Sequence, residues 1–578
     1  MPADCVKTAE VLLPLALAGA YTYAVPPGLA VAPGDYVEVP LGPRSYIGCV
    51  WRLGSSDVGG KALREIVQKF AVAPLGDTHR AFVDWVASYY LEPLGNVLRS
   101  CLRAPGAFGE ARSEIAYRIG RNRPGKLTAQ RARILEIARE GPALKASELA
   151  ELAGVGTSVV KALAKTGALE AVALPPHRAF ATPDLAAGKL TLSRVQEEAA
   201  RQLRAAVAQR GHKVVLLDGV TGSGKTEVYF EAMAAALASG RQVLLLLPEI
   251  ALTQQFIERV ERRFGAEPAR WHSGMRPRER ERAWRAVAEG TAPIVVGARS
   301  ALFLPWAKLG LIVVDEEHEG AYKQEDGVPY HARDMAIVYG ALGKFPVVLS
   351  SATPSLESLV NAERGRYGHV RLHARHGEAE LPPSHILDMR QVAPPSGSWL
   401  SEPLARAVEE TLASGDQALL FLNRRGYAPL TLCRACGHRI DCPNCAASLV
   451  EHRFRKQLLC HHCGHAQAIP PECPKCGAPG KLVPCGPGVE RLAEEAARRF
   501  PEARLAILSS DLSQGTLLKE ALRDVAEGVH NLVIGTQLVA KGHHFPHLTL
   551  VGVVDADLAL DSGDPRSAER SWAQMAQV

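Results

Sequence analysis

The chain has 578 residues, 47% of them apolar and 22% charged, enough to bury several cores and, by length, to form roughly three to five domains. No run of about 18 apolar residues is present to span a bilayer, and Met1 to Lys7 is not a charged segment leading into an apolar one, so membrane-spanning and secreted classes are excluded and a cytoplasmic chain is expected. The net charge of +6 is compatible with nucleic acid but selects no function by itself.

From about residue 8 to 105, short apolar runs alternate with Pro-Gly punctuation: Tyr21 to Val25, Pro26-Pro27-Gly28, Gly34 to Val39, Ile47 to Trp51. This pattern predicts a small β-barrel, followed by a helix around Phe82 to Tyr90. From Leu127 the period changes, and Ala129 to Ala138, Ser147 to Ala153 and Thr157 to Thr166 read as three amphipathic helices, the last two separated by Gly154-Val155-Gly156. That is helix-turn-helix spacing, as in winged-helix modules, although a plain helical linker domain fits the same pattern. From Leu190 the chain reads as α/β. Apolar strands at Val214 to Leu217, Val243 to Leu247, Ile294 to Val296, Leu311 to Val314 and Val347 to Leu349 alternate with helices, the signature of a parallel sheet. A second set follows at Ala418 to Leu422, Leu505 to Leu508, Leu532 to Ile534 and Leu550 to Val554.

The first set carries the chemistry of a nucleotide site. The strand at Val214 runs into Gly219-Val220-Thr221-Gly222-Ser223-Gly224-Lys225-Thr226 ahead of a helix, a full GxxxxGK[ST] in its required context. Gly219, Gly222, Ser223 and Gly224 let backbone N–H groups turn around phosphates, Lys225 brings a charge to them, and Thr226 is placed to hold Mg²⁺ of ATP. The strand at Leu309 ends in Asp315-Glu316-Glu317-His318. An acidic pair at a strand end beside a P-loop assigns Asp315 to the metal and Glu316 to the attacking water. Ser351-Ala352-Thr353 supplies two hydroxyls at a further strand exit, suited to coupling phosphate state to lobe movement.

Eight of the twelve cysteines form four CxxC pairs: Cys433/Cys436, Cys442/Cys445, Cys460/Cys463 and Cys473/Cys476. In a reducing compartment this density predicts two tetrahedral four-thiolate zinc sites rather than disulfides. Sequential and nested pairings both satisfy the count. The ribbon-like spacing favours nesting, with Cys442, Cys445, Cys460 and Cys463 inside and Cys433, Cys436, Cys473 and Cys476 closing around them; His438, His461, His462 and His465 are left as surface or supporting groups.

P-loop, DEEH and SAT in this order resemble superfamily 2 helicases, built of two RecA-like lobes. GVTGSGKTEVY from Gly219, LLLLPEIALTQQ from Leu244, His272 to Gly274, VGARSALF from Val296, YKQEDGVPYHARD from Tyr322 and IGTQLVAKGHHFP from Ile534 narrow the resemblance to the PriA-type replication-restart helicases, the primosomal protein N′ family. The eight-cysteine insertion is that family's most specific mark. The resemblance covers the chain from near residue 8 to its end. It implies a multidomain α/β fold: a β-rich DNA 3′-end-binding domain at 1–107, a winged-helix domain at 120–182, a first helicase lobe at 190–375, a second at 385–432 and 486–578, and a zinc-binding insertion at 433–485.

It also implies residue roles. Gln196 stands at the adenine-recognising position. Tyr322 to Asp334 resembles an aromatic-rich loop that senses DNA: Tyr322 and Tyr330 would stack on bases, and Lys323, His331 and Arg333 would meet phosphate. Ser351 and Thr353, with Thr536, Gln537 and Lys541 of the second lobe, would couple nucleotide to strand, and Tyr21-Thr22-Tyr23 falls at the 3′-end-binding motif. The implied activity is ATP-dependent 3′-to-5′ unwinding at abandoned forks in the bacterial cytoplasm, near the nucleoid. The implied partners are branched and single-stranded DNA, primosome proteins, single-stranded DNA-binding protein and the loader of the replicative helicase, with no membrane. The chain reaches the sixth helicase motif at Gln577 and stops ahead of that motif's arginines. The alternative expectation is therefore a DNA- and ATP-binding fragment or scaffold with little hydrolysis.

Overall fold

The computed structural model describes residues 6–577 apart from 18, 57–62, 110–113, 123–126, 175–179, 210, 249–253, 374–381, 393, 396–397, 423–429, 434, 437, 446–448, 453–456, 461–462, 486–488, 509–515, 537–544 and 560–564. Gln537, Lys541, His461 and His462 lie outside the described residues. Among the described residues no helix is long and apolar enough to cross a membrane.

The N-terminal strands form one antiparallel sheet in the order Tyr21–Ala24, Val6–Leu12, Arg44–Ser56, Tyr36–Leu41, Gln68–Lys69. Its edges meet where Ala24 bridges Glu65, with Ala24 N–H donating to Arg64 O and Ile66 N–H to Ala24 O, so the sheet curls into the expected small barrel. One face encloses Val11, Tyr23, Val37, Val39 and Val50. The other face, with the following helices Asp77–Tyr90 and Leu94–Cys101, does not close on itself. Tyr36, Trp51, Phe82 and Val97 run without interruption into Trp284, Phe303, Tyr339 and the underside of the next sheet. Phe82 stacks on Tyr339 at 4.5 Å, and Trp284 Nε1 donates to Cys101 O at 2.8 Å. The core of this N-terminal region is thus continuous with that of the following sheet.

His79 sits at this seam, 2.7 Å from the Tyr339 hydroxyl and 3.4 Å from Cys101 Sγ. Burial pushes its pKa down to about 3. The unfolded chain, with an ordinary histidine near 6.5, takes up a proton that the folded chain refuses, so this stability is complete above about pH 6.5 and declines as pH falls toward the folded value. At pH 5 the loss is about 2 kcal/mol. Melting temperature is expected to drop more between pH 7.5 and 5 for the native chain than for His79→Gln; equal slopes would refute the assignment.

Residues 114–174 make a separate body: helices Ala129–Glu140, Ala146–Ala153 and Thr157–Lys165 against a sheet ordered Leu144–Lys145, Glu114–Ile119, Leu169–Leu174. Gly154, at φ 64, ends the second helix in the left-handed region that glycine favours and sets up the turn into the third. Ile134, Leu149, Val160 and Leu163 fill its core.

The first large sheet is parallel, in the order Ala269–Trp271, Ile294–Gly297, Gln242–Leu246, Leu309–Asp315, Val347–Ser351, Val214–Gly219, Gly368–Leu372. Its central strands are buried on both faces, which is why they read as unbroken apolar runs. Alternation then sorts them: Leu216, Leu244, Ile312 and Leu349 face the N-terminal domain, and Leu217, Leu245, Val313 and Val348 face helices Arg194–Ala208 and Lys225–Ala238. The second parallel sheet runs Leu505–Leu508, Leu532–Gly535, Gln417–Leu422, Leu548–Val554. The cysteine segment leaves it on a two-stranded antiparallel stem, Leu430–Cys433 with Leu482–Cys485.

Candidate active site

Gly219, Ser351 and Asp315 end three neighbouring strands, so the P-loop, SAT and DEEH segments come together at the carboxyl edge of the sheet, where α/β folds place ligands. The SAT strand lies between the DEEH strand and the P-loop strand. Gly222 and Gly224 take φ of 80° and 82°. A Cβ on Gly224 would lie 2.3 Å from Gln196 Nε2, so side chains are excluded from the cradle by conformation and by space. Ser223 Oγ is buried there without a partner, and Lys225 Nζ lies on Gly219 O at 2.6 Å. An orphaned hydroxyl, an ammonium and the N-terminus of helix Lys225–Ala238 form a donor set that fits a polyphosphate.

Gln196 is buried and spans two duties. Its Oε1 accepts from Ser193 N–H at 2.9 Å in a capping box, and its Nε2 donates to Ser223 O at 2.9 Å. It ties the helix preceding the motor to the P-loop. Tyr229, which spacing did not single out, donates to Asp315 Oδ2 at 3.0 Å. Burial, then the neighbouring Asp315 charge, holds its phenol well above the ordinary range, so it remains a donor. It lies one helical turn past Thr226, which was the available signal.

Glu316 adopts φ 48, the left-handed region, which costs a non-glycine residue about 1–2 kcal/mol. The turn lets Glu317 N–H rejoin Ser350 O at 3.1 Å. Gln577 Nε2 donates to Glu316 Oε2 at 3.3 Å and lies 3.0 Å from His318 Nε2. That contact makes Nε2 of His318 the acceptor and its Nδ1–H the donor to Ser351 Oγ at 2.7 Å, which also accepts from Thr353 N–H at 2.9 Å. A continuous chain of hydrogen bonds therefore joins SAT, DEEH and helix Ser567–Gln577, which follows the last strand of the second parallel sheet. Thr353 Oγ1 is buried without a partner, and Thr536 is buried with its N–H on Leu508 O at 3.3 Å.

The segment from Tyr322 to Asp334 corrects three expectations. Tyr322 and Tyr330 are only 1% and 2% exposed and cannot stack on bases here. The Tyr322 hydroxyl donates to Asp315 O at 2.6 Å and lies 3.0 Å from Leu246 O, and Tyr330 packs edge-on to Phe303 at 4.9 Å. They are core residues because the segment folds into the seam with the N-terminal domain. Arg333 is buried against Glu317 at 3.1 Å and Asp334 at 2.8 Å; burial disfavours its charge, but the two carboxylates outweigh that and hold it protonated, away from any phosphate. His331 is mostly buried, and burial followed by the Arg333 charge lowers its pKa to about 4, so it is neutral at physiological pH. Lys323 alone remains an exposed cation, its Nζ 5.9 Å from the Tyr90 ring centroid.

In the cysteine segment, the sulfurs of Cys433, Cys436, Cys473 and Cys476 lie within 4.8 Å of one another, and those of Cys442, Cys445, Cys460 and Cys463 form a second such group. This is the nested pairing. The separations Cys433–Cys476 and Cys436–Cys473 are 3.7 Å, and Cys442–Cys463 and Cys445–Cys460 are 3.5 Å. Four thiolates around one zinc at about 2.3 Å stand about 3.8 Å apart, whereas a disulfide would close to about 2 Å, so the spacing fits zinc. Gly464 and Gly477 follow the second cysteine of their pairs at φ 77 and 68, which turns each CxxC loop back on itself. The described histidines His438 and His465 supply backbone carbonyls to Cys433 and Cys460 N–H at 2.8 Å and are not in either group.

Comparison with known proteins bears directly on this combination. Residues 193–362 match the DEAD/DEAH box helicase model, residues 10–103 the 3′ DNA-binding domain (3′BD) model of PriA, and residues 442–467 the model of the PriA DNA helicase Cys-rich region. Replication restart protein PriA of Rickettsia felis is 36% identical over 99% of this chain and 78% of its own length. That of Haemophilus influenzae is 36% identical over 98% and 78%, and that of Synechocystis 32% identical over 97% and 78%. The chain belongs to the PriA replication restart protein family. The PriA 3′BD match, from residue 10 to 103, takes in most of the barrel and both helices docked on the motor. On that barrel Tyr21 and Thr22 are exposed, while Tyr23 is buried with its hydroxyl on Pro40 O at 3.1 Å. The Cys-rich match of the PriA family spans the inner cysteine group and leaves the outer group to the stem.

Proposed function

We propose that the chain is an ATP-driven 3′-to-5′ DNA helicase that recognises abandoned replication forks and starts primosome assembly. The observation that carries the ATPase reading is the meeting of three motif-bearing strand ends with Gln577 of the second lobe, on Glu316 and His318. In this reading Lys225 and the backbone N–H groups at the start of its helix bind the phosphates, and Thr226 and Asp315 would hold a magnesium ion, which would supply charge neutralisation for phosphoryl transfer. Glu316 takes the proton of the attacking water. Its strained turn leaves the carboxylate to be oriented by Gln577 rather than by the strand.

The family membership supports the direction of travel and the partners in this proposal. The 114–174 body, with Lys161 and Lys165 exposed on its third helix, fits a winged-helix module that meets duplex phosphate, and the barrel fits a 3′ strand end. Single-stranded DNA-binding protein, primosome proteins and the helicase loader are the protein partners of this proposal.

The test is DNA-stimulated ATP turnover together with strand displacement on forks bearing a free 3′ or 5′ arm. Glu316→Gln is expected to lower turnover about 10²–10⁴-fold. Turnover that does not respond to DNA, or unwinding that requires the opposite polarity, overturns the proposal.

A further inference from the structure

We infer that Glu317, the second glutamate of DEEH, is a positioning residue that transmits lobe closure to Glu316. The inference rests on the reading of Glu316 as the water-activating carboxylate. Glu317 is 0% exposed, a costly place for a carboxylate unless every lone pair is used. Its Oε1 accepts from Ser355 N–H at 2.7 Å. Its Oε2 accepts from Ser358 Oγ at 2.9 Å, Ser355 Oγ at 3.0 Å and Arg333 Nη1 at 3.1 Å. Four donors from two other segments therefore converge on one side chain, immediately after the strained residue of the site.

Those donors lead outward to the second lobe. Ser355 is the N-cap of helix Leu356–Glu363, and Leu356 N–H donates to Oε1 of Glu569, on helix Ser567–Gln577. Arg566, just before that helix, pairs with Glu357. The same second-lobe helix delivers Gln577 to Glu316 at its other end. A shift of the second lobe thus pulls on Glu316 twice: directly through Gln577, and through the Leu356–Glu363 N-terminus, Ser355, Ser358 and Glu317. Since Glu317 N–H also fixes the strand register on Ser350 O, its carboxylate holds the far side of the turn that aims Glu316. Arg333 neutralises the buried Glu317 carboxylate and anchors the end of the 322–334 segment to it.

A group that acts only by aiming another should change turnover and leave nucleotide affinity alone. For Glu317→Gln we expect DNA-stimulated kcat to fall about 10-fold or more with the KM for ATP within about twofold, in line with the cost of small misplacements of reacting groups. Arg333→Gln should do the same, and the double variant should be no slower than the slower single, because both break one path. Ser358→Ala removes a single hydroxyl and keeps the ion pair; it should lower kcat about threefold at unchanged KM, and it carries the test if Glu317→Gln is insoluble. Glu316→Gln run alongside separates the two readings. Turnover surviving in Glu316→Gln overturns the base assignment and this inference with it. An inactive Glu316→Gln beside a Glu317→Gln or Ser358→Ala at the native rate overturns this inference alone, as do losses in Glu317→Gln and Arg333→Gln that multiply.

Discussion

Replacing Lys225 by alanine is expected to lower ATP turnover by at least about 10²–10³-fold while leaving affinity for branched DNA within about threefold. The size follows from where the ammonium sits. Nζ is held on Gly219 O at 2.6 Å and Val220 O at 3.3 Å, beside the buried, unpartnered Ser223 hydroxyl and the start of helix Lys225–Ala238. A positive charge fixed in such a partly desolvated cradle acts on the developing phosphate charge without reorganisation, and alanine removes it outright. DNA affinity survives because the surfaces proposed for DNA, the exposed Tyr21 edge of the barrel and the third helix of the 114–174 body, belong to other cores. The two measurements are steady-state turnover with saturating DNA and fork titration in nucleotide-free buffer. Loss of fork affinity in that buffer would contradict the division of surfaces.

Stripping metal from the cysteine segment is the second large effect expected. That segment has almost no core of its own: Ile440, Leu449 and Leu458 are its buried aliphatic side chains among the described residues, packed beside Cys442 and Cys460. So few apolar groups cannot offset the ordering of roughly fifty residues, at about 1–2 kcal/mol each. Each four-thiolate zinc site is worth about 10–16 kcal/mol of folding free energy, so the ions and not the packing hold the segment together. A chelator strong enough to remove both ions is therefore expected to open 433–485 to protease and abolish unwinding. ATP binding should stay within about twofold, because the stem joins a lobe whose sheet has an independent core. Cys460→Ser should release the inner ion and keep the outer. A segment that stays protease-resistant and active with both ions gone refutes the account.

The motifs legible in the chain are those whose partners are close in sequence. Gly219 to Thr226 is a contiguous loop between a strand and a helix, and its function follows from backbone geometry that any such sequence adopts. Each CxxC pair is likewise a local turn. Nesting was favoured by the ribbon-like spacing between Cys442/Cys445 and Cys460/Cys463, and the sulfur distances match it. Strand positions were legible for a related reason, since strands buried on both faces must be apolar throughout. What misled was the 322–334 segment. There the family resemblance assigned two tyrosines, a lysine, a histidine and an arginine to DNA, whereas two tyrosines in a polar stretch are by themselves more commonly core residues, as they are here. Their burial depends on Phe303, Tyr90 and Glu317, which are contributed by other parts of the chain.

By itself the sequence determined the chemistry that local geometry encodes: a phosphate-binding loop, an acidic strand end, two four-cysteine groups, and the parallel and antiparallel sheets that carry them. Tertiary structure alone decided which of those residues meet. It put the SAT strand between the two halves of the nucleotide site, fused the N-terminal domain to the motor through one core, turned the tyrosines inward and gave Glu317 four donors. The physical reason is that backbone conformation is set largely within a few residues, whereas burial and electrostatic pairing depend on surfaces that become neighbours only when distant segments pack.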